Sequence, residues 1–182
     1  MAKKAVDPLI IGLMQKTGVS NVNACPKFVK ATVNVGMGTL LRNTKDYSEI
    51  AENVKKLTGQ KPVVTHAKKA ISNFKIREGM PVGLKVTLRG KRMTAFIEKL
   101  VKVVFPRMRD FRGFSKNGFD EQGNYTVGIR EVTVFPEVNP DNVDKIHGIE
   151  ISLTTTAWDR DSGIALLEAH GWPFKKSEPS AQ

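Results

Sequence analysis

Hydrophobic residues recur along the chain with two different periods, and each period predicts one type of element. A spacing near 3.6 residues predicts four helices, over 2–16, 46–58, 92–105 and 161–170. Alternation of apolar and polar residues predicts five strands, over 27–35, 62–65, 84–89, 125–134 and 149–156. The order α–β–α–β–β–α–β–β–α favours an α+β fold, with helices packed on one face of a mainly antiparallel sheet. The other face is then open to solvent or to a ligand.

Two of these strands are predicted to carry the same kind of outer face. In 84–89 the inner residues are Leu84, Val86 and Leu88, and the outer ones are Lys85, Thr87 and Arg89. In 27–35 the inner residues are Val29, Ala31, Val33 and Val35, and the outer ones are Phe28, Lys30, Thr32 and Asn34. Because both outer faces interleave short hydrogen-bonding groups with cations, we expect them to form one contiguous platform.

Local signals set the predicted helix ends. Gly18 is expected to stop the first helix, and Asp46 with Glu49 has the spacing of a capping box at the start of the second. Gly59 is the residue type preferred just after a helix, and Pro106 is expected to end the third helix.

Charge is unevenly distributed along the 182 residues. The formal net charge is +11, but residues 1–117 carry +17 whereas residues 118–170 carry −7. The basic excess points to nucleic acid, an anionic membrane surface or an acidic partner. The asymmetry favours one basic face and a separate acidic surface.

A long basic connector lies between the second and third predicted strands. It spans 67–83, is punctuated by Gly79, Pro81 and Gly83, and has an apolar tip at Phe74 and Ile76. Connectors of this length inside a compact domain are more often functional than not. We therefore expect it to reach a second ligand.

A second basic segment, residues 106–114, alternates arginines with Phe111 and Phe114. This pattern suits phosphate contact combined with base stacking. The alternative, that the two phenylalanine rings fold into the core, is equally well supported by the sequence.

Catalytic, metal and cofactor motifs are not evident. His66, His147 and His170 lack metal-ligand spacing, and Gly36–Gly38 lacks the third glycine of a dinucleotide loop. Cys25 is interpreted as a small buried apolar residue. The sequence therefore predicts no enzyme, no cofactor and no metal.

The single cysteine excludes an intrachain disulfide, and the apolar run at 9–14 is too short for a membrane span. We expect a soluble cytoplasmic protein. The uncharged Asn34, Gln60 and Thr87 beside Lys30 and Arg89 favour RNA over DNA, because such groups suit 2′-hydroxyls and minor-groove edges.

Long ordered strings carry a family resemblance. They read VNVGMG at 33–38, LTGQKP at 57–62, FKIREG at 74–79, KVTLRGKRM at 85–93 and PRMRDFRG at 106–113. These strings resemble the large-subunit ribosomal protein five family, which binds 5S ribosomal RNA. The resemblance starts near residue 25 and continues to residue 174. It departs from the family in a shorter N-terminal segment and at Trp158–Arg160, where the family usually has smaller polar residues.

The resemblance implies three contact surfaces. Contacts to 5S RNA are expected from Lys30, Thr32, Asn34, Gln60, Lys61, Lys85, Thr87 and Arg89. Contacts to other ribosomal RNA are expected from Lys68, Lys69, Arg92, Arg107, Arg109 and Arg112. Contacts to the elbow of P-site transfer RNA are expected from Asn73, Phe74, Lys75, Ile76, Arg77 and Met80.

The resemblance also implies a place in the cell. The protein is expected to be ribosome-bound, to hold 5S RNA in the central protuberance, and to bridge to small-subunit head protein thirteen through the region after Arg107. One domain over 1–182 is predicted, with an N-terminal helix and turn (1–24), a core (25–174) and a disordered tail (175–182). A free RNA chaperone and an RNA-modifying enzyme remain alternatives.

Overall fold

The computed structural model describes residues 8–38, 47–138 and 147–175. Within these residues the chain forms helices and strands in the predicted order. The α-helices are α1 (Pro8–Thr17), α2 (Ser48–Thr58), α3 (Gly90–Lys99) and α4 (Arg160–Ala169). The strands are β1 (Phe28–Gly36), β2 (Val63–His66), β3 (Pro81–Leu88), β4 (Tyr125–Ile129) and β5 (Ile149–Thr155). No described helix is both long and apolar enough to cross a membrane.

The strands form one antiparallel sheet in the order β2–β3–β1–β5–β4. In the β1–β3 pair, Ala31 lies opposite Leu88 and Val35 lies opposite Leu84. These inner side chains are fully buried. The predicted α+β fold is confirmed. Val29, predicted for the same buried row, lies near the beginning of β1 and is 44% exposed.

The two ends of α2 differ in how well they match the signals in the sequence. Gly59 ends α2 in the left-handed region at φ +66°, and its N–H donates to Lys55 O, so this prediction is confirmed. At the other end α2 begins at Ser48, with Tyr47 at the N-cap and no side-chain cap bond. The helix therefore begins two residues later than the predicted Asp46, which lies outside the described residues.

The first helix ends as predicted. Gly18 has φ +70°, and its N–H donates to Met14 O at 2.9 Å. The described helix covers Pro8–Thr17, and residues 2–7 of the predicted range lie outside the described residues.

The third helix changes its hydrogen-bonding pattern before it ends. The predicted helix over 92–105 consists of α3, a π-helical turn at Leu100–Val104 and a 3₁₀ turn at Phe105–Arg107. The Phe105 N–H donates to Leu100 O, five residues back. Pro106 has no N–H to donate and so cannot extend a regular helix. The α-helical prediction was therefore wrong over residues 100–105.

The fourth strand is shorter than predicted, and the last helix begins with a capping box that was not predicted. β4 ends at Ile129, and Val132–Val134 forms a 3₁₀ turn in which the Phe135 N–H donates to Val132 O. Helix α4 begins one residue earlier than predicted because Asp159 and Ser162 form a reciprocal capping box.

The chain divides into two compact units. One comprises Met1–Val29, Arg109–Thr126 and Leu153–Gln182, and the other comprises Lys30–Met108 and Val127–Ser152. In the first unit Leu13, Cys25 and Leu166 form a buried cluster, so Cys25 has the structural role predicted for it. The prediction of a single domain over 1–182 remains a prediction. So does the predicted disordered tail, because residues 176–182 lie outside the described residues.

Candidate nucleic-acid interface

The outer sides of β1 and β3 place their polar residues in register. Asn34 lies opposite Lys85 and Thr32 lies opposite Thr87. Each pair lies on the side away from the buried aliphatic residues. Directly opposed side chains on one face have Cβ atoms about 4.5–5.5 Å apart. The four residues therefore form one compact polar surface, which we call the β1–β3 face.

The ends of the β1–β3 face are also polar. If the register continues by one residue pair, Lys30 lies opposite Arg89, which is the N-cap residue of α3 and is exposed. Phe28 has the same parity as Lys30, yet it packs against the Leu13 cluster and meets the His170 ring at 4.9 Å. The polar face therefore begins at Lys30, and Phe28 is part of the core.

Gln60 reaches the β1–β3 face although it lies outside the strands. The left-handed Gly59 turns the chain out of α2, and the Gln60 side-chain amide donates to Thr87 O at 3.3 Å. Gln60 and Thr87 are both half-buried. The next residue, Lys61, is exposed. The structure thus brings together Gln60 and Thr87, which are distant in sequence.

Cations on the β1–β3 face take no part in the ion pairs of the described residues. Within that part of the chain, the ion pairs involve Lys16, Lys56, Lys99, Lys102 and Lys116. None of these is a predicted RNA contact. Burial raises the pKa of the Glu168 carboxyl, but hydrogen bonds and charge from Lys116 and Lys16 outweigh burial and lower it below its usual value. Those two lysines therefore form ion pairs within the protein rather than with a ligand.

Two residues on this surface were missed by sequence reasoning. Glu150 projects from the outer side of β5 and accepts a hydrogen bond from the Asn34 amide at 3.3 Å. Val63 on β2 lies opposite Lys85 and is 67% exposed. Alternation within 149–156 places Glu150 on a polar face, but only the strand order places β5 beside β1.

The β2–β3 loop, Ala67–Met80, is an ordered extension of its two strands. Ala67 and Met80 are joined by a backbone hydrogen bond of 2.8 Å. Nearer the tip, Ile71 and Ile76 exchange two backbone hydrogen bonds, and Lys75 closes the turn at φ +55°. Phe74 projects from this turn and is 60% exposed.

Further predicted contacts line this loop. Asn73, Lys75 and Arg77 are exposed near the tip, and Lys68 and Lys69 are exposed near its base. The Arg77 N–H donates to the Met80 sulfur at 3.2 Å, which ties the loop across its own width. His66, also exposed, contacts Gly79 O through Nδ1 at 3.0 Å. The loop is therefore stiffened by its own bonds.

The other predicted arginines are all exposed. Arg92 lies in the first turn of α3, and Arg107 lies in the 3₁₀ turn. Arg109 and Arg112 flank Asp110, whose φ of +51° bends the backbone. Their exposure suits long-range attraction of a polyanion.

The rings of Phe111 and Phe114 contact protein. They meet edge to face at 4.9 Å, and Phe114 lies 5.9 Å from Trp172 between ring centroids. The Phe114 N–H donates to Pro173 O, and the Lys175 N–H donates to Phe114 O. These contacts favour the core-packing interpretation over base stacking for both rings.

The geometry of the described residues gives no support for a metal site or for Tyr125 as a catalytic base. No group of three His, Cys, Asp or Glu residues within 8–38, 47–138 and 147–175 could hold a metal ion. Burial raises the pKa of Tyr125 to about 12, although a hydrogen bond with Trp172 opposes the shift. Its phenol therefore stays protonated at neutral pH and cannot serve as a base.

These observations define a class: a basic α+β protein whose sheet presents polar and cationic side chains in register. Comparison with known protein families identifies one family within this class. The family "Ribosomal protein L5" matches residues 21–77, and the C-terminal part of the same ribosomal L5 family matches residues 81–174.

Individual relatives cover almost the whole chain. "Large ribosomal subunit protein uL5" of Synechococcus sp. (strain RCC307) is 48% identical over 175 residues, which is 96% of each chain. The protein of the same name from Trichormus variabilis is 50% identical over 169 residues, 93% of each chain. That of Halothermothrix orenii is 47% identical over 176 residues, 97% of this chain and 98% of the relative. The chain belongs to the ribosomal protein L5 family, which is structural rather than enzymatic.

Proposed function

We propose that this chain is a structural component of the large ribosomal subunit that binds 5S ribosomal RNA through the β1–β3 face. The observation that carries this proposal is the strand register. It places Asn34 opposite Lys85 and Thr32 opposite Thr87, and Gln60 is hydrogen-bonded to the Thr87 backbone. The face thus combines fixed neutral groups with cations that the described ion pairs do not use.

This combination is well matched to folded RNA. Amides and hydroxyls fixed in position are suited to 2′-hydroxyls and base edges in a shallow minor groove. Lys30, Lys61, Lys85 and Arg89 surround them and would neutralise phosphates. Affinity would come mainly from the cations, whereas choice of RNA would come from Asn34, Thr87 and Gln60.

The β2–β3 loop supplies a second proposed contact, to the elbow of P-site transfer RNA. A stiff loop with Phe74 exposed between Asn73 and Lys75 can stack on a base or ribose while its cations meet phosphates. Ile76 and Met80 would line the base of this contact. The support is the ordered backbone, which lowers the entropy lost when the loop binds.

Exposed basic residues outside these two surfaces would hold the protein on other large-subunit RNA. Lys68, Lys69, Arg92, Arg107, Arg109 and Arg112 are all exposed. We also propose the bridge to small-subunit head protein thirteen, through the segment after Arg107 and the acidic region beyond it. Part of that region, residues 139–146, lies outside the described residues.

RNA selectivity tests the main proposal. Binding of 5S RNA should be compared with binding of a scrambled RNA of equal length at matched salt. A structural 5S binder should prefer 5S RNA by roughly 10³-fold or more, as site-specific nucleic-acid binders do. Similar affinity for both RNAs would instead identify a chaperone, and a mass change in the recovered RNA would identify an enzyme.

A further inference from the structure

An open depression lies where β1, β5 and β4 run side by side. Its volume is about 490 Å³, within the usual range of small-ligand sites. Its polar and glycine residues are Asn34, Gly36, Gly128, Arg130, Gly148 and Glu150. The depression adjoins the β1–β3 face through Asn34, which belongs to both.

The depression differs in charge from the β1–β3 face, because it contains the carboxylate of Glu150 beside the cation Arg130. Glu150 is exposed, and its Oε2 accepts from the Asn34 amide nitrogen at 3.3 Å. The other polar atom of that side chain, Asn34 Oδ1, lies on the β3 side, 4.0 Å from the position that a Cβ on Gly83 would take. The acceptors offered to the depression are therefore the oxygens of the Glu150 carboxylate, which would attract a group with several N–H donors.

Two of the three glycines in the depression, Gly36 and Gly128, are not required by the packing of the protein, whereas a Cβ on Gly148 would lie 3.3 Å from Ile129 O. A Cβ atom added to Gly36 or Gly128 would meet no atom within 4 Å, and neither residue has a positive φ. Side chains at these strand positions would fill the depression without disturbing the fold. Their absence leaves bare backbone, which permits close approach of a flat ligand.

Together these features point to a nucleobase rather than to the RNA backbone. Guanine presents N1–H and the N2 amino group side by side, whereas adenine and cytosine each present one amino group on the corresponding edge. We propose that the depression binds an unpaired guanine base, with the Glu150 carboxylate accepting from N1–H and N2, Asn34 holding that carboxylate through its amide N–H, and Arg130 contacting a neighbouring phosphate. This inference rests on the proposed RNA-binding function and specifies one base within that contact.

Kethoxal footprinting tests this inference, because the reagent modifies N1 and N2 of unpaired guanines. In the complex of the full chain with 5S RNA, one guanine should be protected by the wild-type protein. It should become reactive again with Glu150→Gln, which keeps the side-chain shape but removes the charge. Gly128→Val should have the same effect by filling the depression. Glu131→Gln removes a neighbouring exposed charge outside the depression and should leave the protection intact.

Affinity measurements complete the test. Inosine at the protected position lacks the N2 amino group and should weaken wild-type binding by roughly tenfold, the lower range for a paired base contact. The Glu150→Gln variant should bind the inosine RNA and the unmodified RNA with nearly equal affinity. Protection that persists in Glu150→Gln, or that is lost equally in Glu131→Gln, would overturn the guanine assignment while leaving 5S binding intact. Failure of the wild-type chain to prefer 5S RNA would remove both proposals.

Discussion

The β1–β3 face and the β2–β3 loop use similar residue types but hold them differently. On the face, Asn34 and Thr87 are half-buried and are fixed by strand register. In the loop, Phe74 and Lys75 project from a turn and are exposed. The loop backbone is fixed by its own hydrogen bonds, yet these two side chains have no partner among the described residues that orients them.

This difference in burial implies a difference in function. A half-buried amide or hydroxyl that loses its ligand partner costs free energy, so such groups discriminate between ligands. Exposed cations and rings provide attraction and stacking that vary little with sequence. We therefore expect the β1–β3 face to select its RNA and the loop to make a tolerant contact.

The largest expected effect is loss of selection on the β1–β3 face. Asn34→Ala and Thr87→Ala should each weaken 5S RNA binding by roughly 1–3 kcal/mol, because each leaves an RNA group without its partner. Filter-binding titration at fixed salt measures this. Thr94→Ala, which removes an exposed hydroxyl from α3, is the matched control and should bind normally. Unchanged affinity in both face variants would show that the face does not select 5S RNA.

A smaller effect is expected in the loop. Replacing Lys75 and Arg77 with Ala should weaken transfer-RNA contact by up to about 1 kcal/mol per residue, since exposed charge pairs contribute little. The salt dependence of transfer-RNA binding should also fall by about two units of slope. Affinity for 5S RNA should not change.

Lys55 and Lys56 on α2 provide the matched control for the loop. Both are exposed, so replacing them with Ala changes the net charge equally. Equal loss of 5S and transfer-RNA binding in the loop variant would contradict the division between the two surfaces.

The Asp159→Ala substitution is expected to leave RNA binding unchanged. This change removes the N-cap of α4, away from both surfaces in sequence, and should lower the melting temperature by about 2–4 °C. If it also reduced RNA binding, losses in the other variants could not be assigned to contacts.

The pH dependence of this effect has a defined sign. Hydrogen bonds from the Ser162 side chain and backbone hold the pKa of Asp159 below its usual value. A carboxyl whose pKa is lowered by folding stabilises the protein above its unfolded pKa, near 4, and loses that contribution as the pH falls through the folded pKa. Melting curves of wild-type and Asp159→Ala protein should therefore differ most at neutral pH and converge in acid.

Much of the fold was predictable because local signals agreed with tertiary packing. Alternation in β1 and β3 identified the outer residues, and Gly59 marked the end of α2. Errors occurred where several signals competed. Pro106 was expected to end an α-helix, but the chain adapted through a π-helical turn, and the apolar residues after Ile129 formed a 3₁₀ turn rather than more strand.

The outward positions of the candidate residues were predictable, but their arrangement across the sheet was not. Lys85, Thr87 and Asn34 were identified from alternation alone. Glu150 was missed because its place beside Asn34 depends on β5 lying next to β1, and pairing between distant strands leaves no local sequence signal. The positions of Phe111 and Phe114 were undecided for the same reason, because the contact of Phe114 with Trp172 also joins segments that are distant in sequence.

The sequence by itself determined which side of each strand is polar, where the positive charge lies, and to which family the chain belongs. Those properties follow from periodicity and composition, which are local. Only the tertiary structure decided that Asn34 meets a carboxylate, that Gln60 meets Thr87, and that three glycines line one depression. These contacts join residues that are far apart in the chain, and the pairing of whole strands, rather than any short stretch, brings them together.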